Sequence, residues 1–395
     1  MIDFSIPPEV EDLRLRTQAF IAEVVIPAEE QLGSTMLGEE LRHELHRAAQ
    51  AAGVFAPQAP VEFGGLGLDV RGWSVVMEEA GYSTLGPHAL NCAAPDEGNM
   101  RMLELIASPA QREAYLAPLC RGEVRSAFAM TEPHPGAGAD PAMLQTTAEK
   151  VDGGWSINGL KRFTTGADGA AFTICMAKTG DAISGDSGAT MFIVEQGNPG
   201  VELVRRIHTS DTVMPGGHAV VKYTDCFVPD DAVLGEVGLG YRYAQVRLGP
   251  ARLTHCIRWL GLARRSLDIA LDRAAERELF GKPLIEHGMV QQFVADSVID
   301  IEASRQLNRL AAWAIDTGQP GRHETSIAKV FVAEAVHRVI DRAVQICGGD
   351  GVSDDLPLDR YLGEVRPFRI YDGPSEVHRW SIARRAARRR EAARG

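Results

Sequence analysis

The residues with the clearest chemical potential lie near the C-terminus, in RIYDGPSEVHRW, residues 369 to 380. Asp372 follows a tyrosine and precedes a Gly-Pro turn and the start of a helix. A carboxylate in such a place suits either of two roles. It can cap a helix by accepting from the first free N–H groups, or it can take a proton from a bound substrate. The twelve residues alone leave both open.

The rest of the chain has to position that carboxylate. It has 395 residues, 45% hydrophobic and 24% charged, an ordinary globular composition for two or three domains. A net charge of −12 argues against non-specific nucleic-acid binding. The six cysteines, at 92, 120, 175, 226, 256 and 347, form no C-x-x-C pair and are too sparse for a disulfide framework. The N-terminus, MIDFSIPPEVEDL, lacks a secretory pattern, and no apolar run approaches the ~18 residues of a membrane helix. The expectation is a cytoplasmic protein without a membrane span.

Hydrophobic periodicity divides the chain. Residues 1–122 carry apolar residues at three-and-four spacing and predict helices. Residues 123–234 change texture: WSINGLKRFTTG, AAFTICMAKTG, ATMFIVEQG, VELVRRIH and HAVVKYTDCFVP predict short strands and a small β domain. Residues 235–395 return to long amphipathic helices ending near glycines, which predicts a bundle. The fold class is α+β, in the order α, β, α. P-loop, Rossmann, H-E-x-x-H and G-x-S-x-G patterns are absent, and nothing suggests a metal site.

Four segments acquire meaning together: FAMTEPHPGAGAD (128–140), NGLKRFTTGA (158–167), ERELFGKPLIEHGMVQ (276–291) and QICGGDG (345–351), the last followed by the Asp372 segment. In this order the chain resembles the acyl-CoA dehydrogenase family over essentially its whole length. The resemblance implies an N-terminal helical domain, a β-barrel-like middle domain and a C-terminal four-helix bundle. It also implies FAD, an acyl-CoA substrate, an electron-transfer flavoprotein or similar acceptor, and a homodimer or homotetramer. In the family a carboxylate takes the α-proton while the β-hydrogen leaves as hydride to the flavin.

Carried over position by position, Phe128, Met130, Thr131, Phe163 and Thr165 fall against the flavin ring. Arg277 and Phe280 reach the diphosphate and adenine end from a partner subunit. Gln345 and Gly349 match the adenosine site, and Glu376 opens the last helix, whose N-terminus faces cofactor phosphate. Ala139, Arg252, Tyr371 and Gly373 fall at the substrate site. Each has a plainer alternative: strand residues, a solvated arginine, a glycine cap.

Three departures stand out. His134 and Pro135 lengthen the T-E-P loop, and Ala139 replaces the usual serine. Asp372 replaces the usual glutamate and is shorter by roughly 1.5 Å; the position used for the base in other members is Ala251. A subgroup reading D-G-P-x-E-V-H shares the aspartate, as do nitroalkane oxidases of the same fold, so a flavin oxidase is the alternative. Finally, the tail is rich in arginine (384, 385, 388, 389, 390, 394). It reads as a solvated helix end, with a flavin-binding protein that touches nucleic acid as a further alternative.

Overall fold

The computed structural model describes residues 5–180 and 188–394. Helices occupy the chain from Pro8 to Cys120, among them Glu39–Ala51, Val70–Ala80 and Asp96–Ile106. The Glu39–Ala51 helix is followed by Gly53, which takes a left-handed φ of 66°. The Val70–Ala80 helix is capped by Asp69, whose carboxylate accepts from the Gly72 N–H at 2.7 Å.

The middle of the chain is one sheet. Its strands are β1 (Ser126–Ala129), β2 (Thr147–Val151), β3 (Gly154–Thr165), β4 (Phe172–Lys178), β5 (Ala189–Glu195), β6 (Val201–Ile207), β7 (His218–Pro229) and β8 (Val233–Leu234). The order is β6-β7-β3-β2-β4-β5-β8, with β1 parallel beside β4. Where a barrel-like domain was expected, the strand path among the described residues runs from β6 to β8 without closing. The strand texture located β3 to β7. β2, TAEKV, is largely exposed and carries three charged or polar residues, so it lacked the apolar signal. In β3 the register shifts between Lys161 and Thr164, and Phe163 there has a φ of 54°. That irregularity turns Phe163 outward, to 44% exposure.

Three long bundle helices follow, Gly240–Glu276, Gly288–Asp316 and Arg322–Cys347, then Leu358–Val365 and a final helix, Ser375–Ala392. The first bundle helix runs through Pro250 and ends at Glu276, before the glycine expected to stop it; Arg277 is already extended and Gly281 lies in the hairpin beyond. The third ends at Cys347, with Gly348 at φ 61° closing it. All six cysteines are free and buried. No helix among the described residues is long and apolar enough to cross a membrane.

The helical regions at either end of the chain share one core. Leu253 and Ile257 of the first bundle helix join a cluster with Val76, Met77 and Leu103. A buried carboxylate ties the same regions together. Glu29 accepts from the Thr84 N–H at 3.0 Å, Arg265 at 3.0 Å, Arg360 at 3.0 Å and the Tyr361 hydroxyl at 2.6 Å. Removing it would leave Arg265 buried without its counter-ion. Glu29→Ala is therefore expected to cost about 3–5 kcal/mol, read as a lowered denaturant midpoint; a loss under about 1 kcal/mol would contradict this role.

Candidate active site

Asp372 sits in a tight turn between a short 3-10 segment, Arg366–Arg369, and the final helix. Its φ is 54° and that of Gly373 is 96°, both left-handed. A Cβ at Gly373 would come within 2.7 Å of His378 Nε2, so the turn requires glycine. The turn is held through one carbonyl: Asp372 O accepts from Arg252 Nε at 2.8 Å and from His378 Nε2 at 3.2 Å. Lys329, fully buried, donates to Phe368 O at 2.6 Å and to Gly373 O at 3.3 Å. Burial pulls its ammonium down to about 8.

These contacts settle part of the choice between cap and base. The N-cap of the final helix is Pro374, and no side chain caps it. The Asp372 carboxylate points elsewhere, with Oδ2 3.2 Å from His255 Nε2 and a side chain 19% exposed. On the other side of that imidazole, Arg258 Nη2 lies 2.8 Å from Nδ1. A guanidinium only donates, so Nδ1 must be the acceptor and Nε2 must carry the proton. His255 thus donates to Asp372. Burial, reinforced by Arg258, lowers the His255 pKa and keeps the ring neutral. Arg258 is in turn 3.6 Å from Glu97, which accepts from the Thr254 hydroxyl at 2.7 Å. Burial alone would raise the Asp372 pKa. The His255 hydrogen bond and the nearby Arg247 and Arg252 outweigh it and hold the carboxyl well below its usual range. The backbone N–H of Asp372 makes no hydrogen bond among the described residues.

Of the predicted substrate residues, Tyr371 packs on His255 with ring centroids 4.7 Å apart, and its hydroxyl accepts from Trp259 Nε1 at 2.6 Å. Arg252 is occupied at Nε by the Asp372 carbonyl, so it positions the turn. Ala139 is exposed on the long loop after β1. That loop is closed from within by Glu132, which accepts from Lys161 Nζ at 2.9 Å, Gln145 N at 2.7 Å and Thr146 N at 2.9 Å. The added His134 and Pro135 lie at the surface and leave this closure intact.

Phe128 lies in β1, and Met130 and Thr131 follow the strand directly. Arg162 N donates to Thr131 O at 2.8 Å, which brings them beside Phe163 and Thr165 of β3. Thr165 has partners the sequence did not suggest. Its hydroxyl is 2.9 Å from His218 Nδ1, and His218 Nε2 is 2.9 Å from Asp211. Asp211 and His218 are 7 residues apart but His218 is 53 from Thr165, and no motif signals the cluster. His255 and Arg258 are neighbours on one helix, yet nothing in the sequence marks their convergence with Glu97 and Asp372.

Arg277 and Phe280 lie in a hairpin beyond the first bundle helix, Phe280 at 95% exposure. Gln345 and Gly349 lie at the end of the third, also exposed. An Arg273–Asp350 ion pair brings these two ends together, well apart in sequence from the Asp372 turn. Glu376 is exposed in the first turn of the final helix.

The described residues fit a flavin dinucleotide. The Phe163 ring, with the Arg162 guanidinium over one face, is 44% exposed and neighbours the oriented Thr165 hydroxyl, and the exposed Phe280 shares its hairpin with Arg277. Gly281, Gly348 and Gly349 face open space, which leaves the backbone free to approach a ligand.

A helical–sheet–helical chain with a buried ionised carboxylate at this place has the form of a flavoprotein oxidoreductase. Comparison with known proteins agrees. The N-terminal, middle and C-terminal domain signatures of acyl-CoA dehydrogenase match residues 7–123, 127–226 and 238–387. The chain is 37% identical to the probable acyl-CoA dehydrogenase FadE2 of Mycobacterium tuberculosis, over 97% of this chain and 96% of that protein. It is 34% identical to (R)-benzylsuccinyl-CoA dehydrogenase of Thauera aromatica, over 97% of each. It also matches acyl-CoA dehydrogenase family member 11 of Gallus gallus at 36% identity, but spans only half of that longer protein. Among solved structures, butyryl-CoA dehydrogenase of Megasphaera elsdenii superposes with a TM-score of 0.88 at 28% identity, covering 98% of this chain and 100% of that one. The chain belongs to the acyl-CoA dehydrogenase family and is an FAD-dependent enzyme of that family.

The hydrogen-bond logic at His255 is directly measurable. Nitrogen NMR of the imidazole should show a neutral ring at neutral pH with its proton on Nε2. An imidazolium, or a proton on Nδ1, would contradict the arrangement.

Proposed function

We propose that this enzyme desaturates the α,β bond of an acyl-CoA thioester with Asp372 as the base, the aspartate standing where most of the family has glutamate. The observation that carries this reading is one residue presenting two groups: a largely buried carboxylate hydrogen-bonded by His255, its pKa held well below the usual range, and an uncommitted backbone N–H. An α-proton becomes acidic only when the thioester oxygen is stabilised as negative charge develops on it. A fixed donor beside the base provides that stabilisation, and provides it without reorganisation.

Bound FAD supplies the acceptor for the β-hydride. The chain's own residues supply the rest. Asp372 takes the α-proton, the electron pair of that bond forms the double bond, and the Asp372 N–H holds the thioester oxygen. His255 orients the carboxylate through Oδ2, and Arg252 and His378 fix the turn. Phe128, Met130, Thr131, Phe163 and Thr165 would hold the flavin ring. Gln345, Gly349 and Glu376, with Arg277 and Phe280 of a neighbouring copy, would hold the rest of the cofactor, which makes a homodimer or homotetramer the working unit. The electrons leave to a separate electron-transfer carrier. The domain limits that suit this assignment are 1–122, 123–234 and 235–395.

Purified, FAD-loaded protein should bleach anaerobically with an acyl-CoA. Asp372→Asn should slow bleaching by roughly 10²–10⁴-fold; a variant as fast as wild type removes Asp372 from the role. Rapid peroxide formation with a small carbon acid, and no bleaching by thioesters, would select the oxidase alternative.

The pH dependence follows from the depressed Asp372 pKa. In wild type the carboxylate is ionised throughout the neutral range, so kcat/KM for bleaching should show no acid limb from this group between about pH 5 and 8. His255→Leu leaves burial in place but removes the donor, so the pKa rises and activity should fall as pH is lowered. An unchanged profile in that variant would show that His255 does not set the ionisation.

A further inference from the structure

The surroundings of Asp372 are rich in buried cations, and most have protein partners. Arg258 has Glu97 and the His255 ring. Arg252 holds the Asp372 carbonyl, and Lys329 holds two further carbonyls. Arg247 is 6% exposed and, like Arg252 and Lys329, has no carboxylate within ion-pair distance among the described residues. Its Nε donates to Asn99 Oδ1 at 2.8 Å, and Nη2 reaches Pro95 O at 3.4 Å. Its guanidinium lies over the Phe128 ring, 4.2 Å from the centroid. Nη1 donates to nothing among the described residues.

The local sequence makes room for this side chain. Gly98, on the Asp96–Ile106 helix, lies beneath it, and a Cβ there would come within 3.3 Å of the guanidinium. Asn99, Pro95 and Phe128 are all neutral. They fix the plane of the fork on one edge and one face and leave the other edge open. A buried guanidinium without a counter-ion is costly, and its five donors suit a single carboxylate held by two parallel hydrogen bonds. Asp372, Glu97 and Asp96 are near enough to favour the charge on Arg247, yet none of them pairs with it directly, and the Asp372 carboxylate is engaged by His255. Nη1 is left available to an anion brought by a ligand. Arg247 shares its helix with Arg252 and His255, which both touch Asp372, so a ligand held at Asp372 is the one placed to bring it.

We propose that Arg247 is an anion-binding subsite of the acyl pocket, and that the preferred substrate is a thioester whose acyl chain carries a free carboxylate. This rests on the assignment of Asp372 as the base of acyl-CoA desaturation. Arg247 is then a specificity residue: it selects the acyl group, while Asp372 performs the proton transfer.

The test is an anaerobic bleaching series with the FAD-loaded enzyme, comparing glutaryl-CoA and adipoyl-CoA with valeryl-CoA and hexanoyl-CoA. Wild type should favour a carboxylated thioester over its unsubstituted counterpart by at least about tenfold in kcat/KM. Arg247→Met should reduce that ratio by roughly 10²-fold, and Arg247→Lys should restore part of it. The readout is a ratio of two substrates on one protein, so incomplete FAD loading cancels. If unsubstituted thioesters are used as well or better, the subsite is wrong while desaturation stands. A preference for carboxylated thioesters that survives in Arg247→Met also removes Arg247 from the role. If no thioester bleaches the flavin, the desaturation reading and the subsite fall together.

Discussion

The site depends on keeping one carboxylate buried and ionised. Taking an aspartate out of water favours its neutral form, and a neutral Asp372 could not accept a proton. The fold counters this with a neutral imidazole that can donate in only one direction, because Arg258 occupies its other nitrogen. Arg247 and Arg252 add positive potential. The His255 hydrogen bond also fixes where the carboxylate points, which matters more for a side chain one methylene shorter than glutamate.

That requirement reaches across the molecule. His255, Arg258 and Arg252 are on the first bundle helix, Glu97 on an N-terminal helix, Lys329 on the third bundle helix and His378 on the final one. The turn can hold its left-handed geometry only if these elements are locked together, and the Glu29 cluster does part of that work, binding Arg265 of the same first bundle helix. The sheet contributes through its own constraint. The irregularity in β3 exposes Phe163 and leaves Thr165 bonded to His218, so one face of the sheet is left open beside an oriented hydroxyl. Stability and site geometry are linked because the same buried ion pairs serve both.

Much of this was legible in the sequence. The change from helical to strand periodicity and back identified the α, β, α order, and the quoted segments identified the family, because contiguous motifs survive in a linear reading. Asp372, Tyr371, Gly373 and Arg252 do meet in one place. What escaped was whatever depends on distant residues converging. His255 and Arg258 looked like ordinary positions on an amphipathic helix; His218 and Asp211 carried no recognisable spacing. The cap alternative for Asp372 stayed open because Asp-Gly-Pro-Ser resembles a helix start; the left-handed turn places the N-cap two residues later, at Pro374. The sequence also could not show that Arg252 would be held by a backbone carbonyl while Arg247, never singled out, would be left without an anion.

The most direct test of the account is exchange at the substrate α-carbon. An acyl-CoA bound to the enzyme in heavy water under anaerobic conditions should gain deuterium at that carbon, followed by NMR or mass spectrometry. Asp372→Asn that still binds the same thioester should fail to exchange it. Equal exchange by the two proteins would mean that another group removes the α-proton, and the buried carboxylate would need a different explanation.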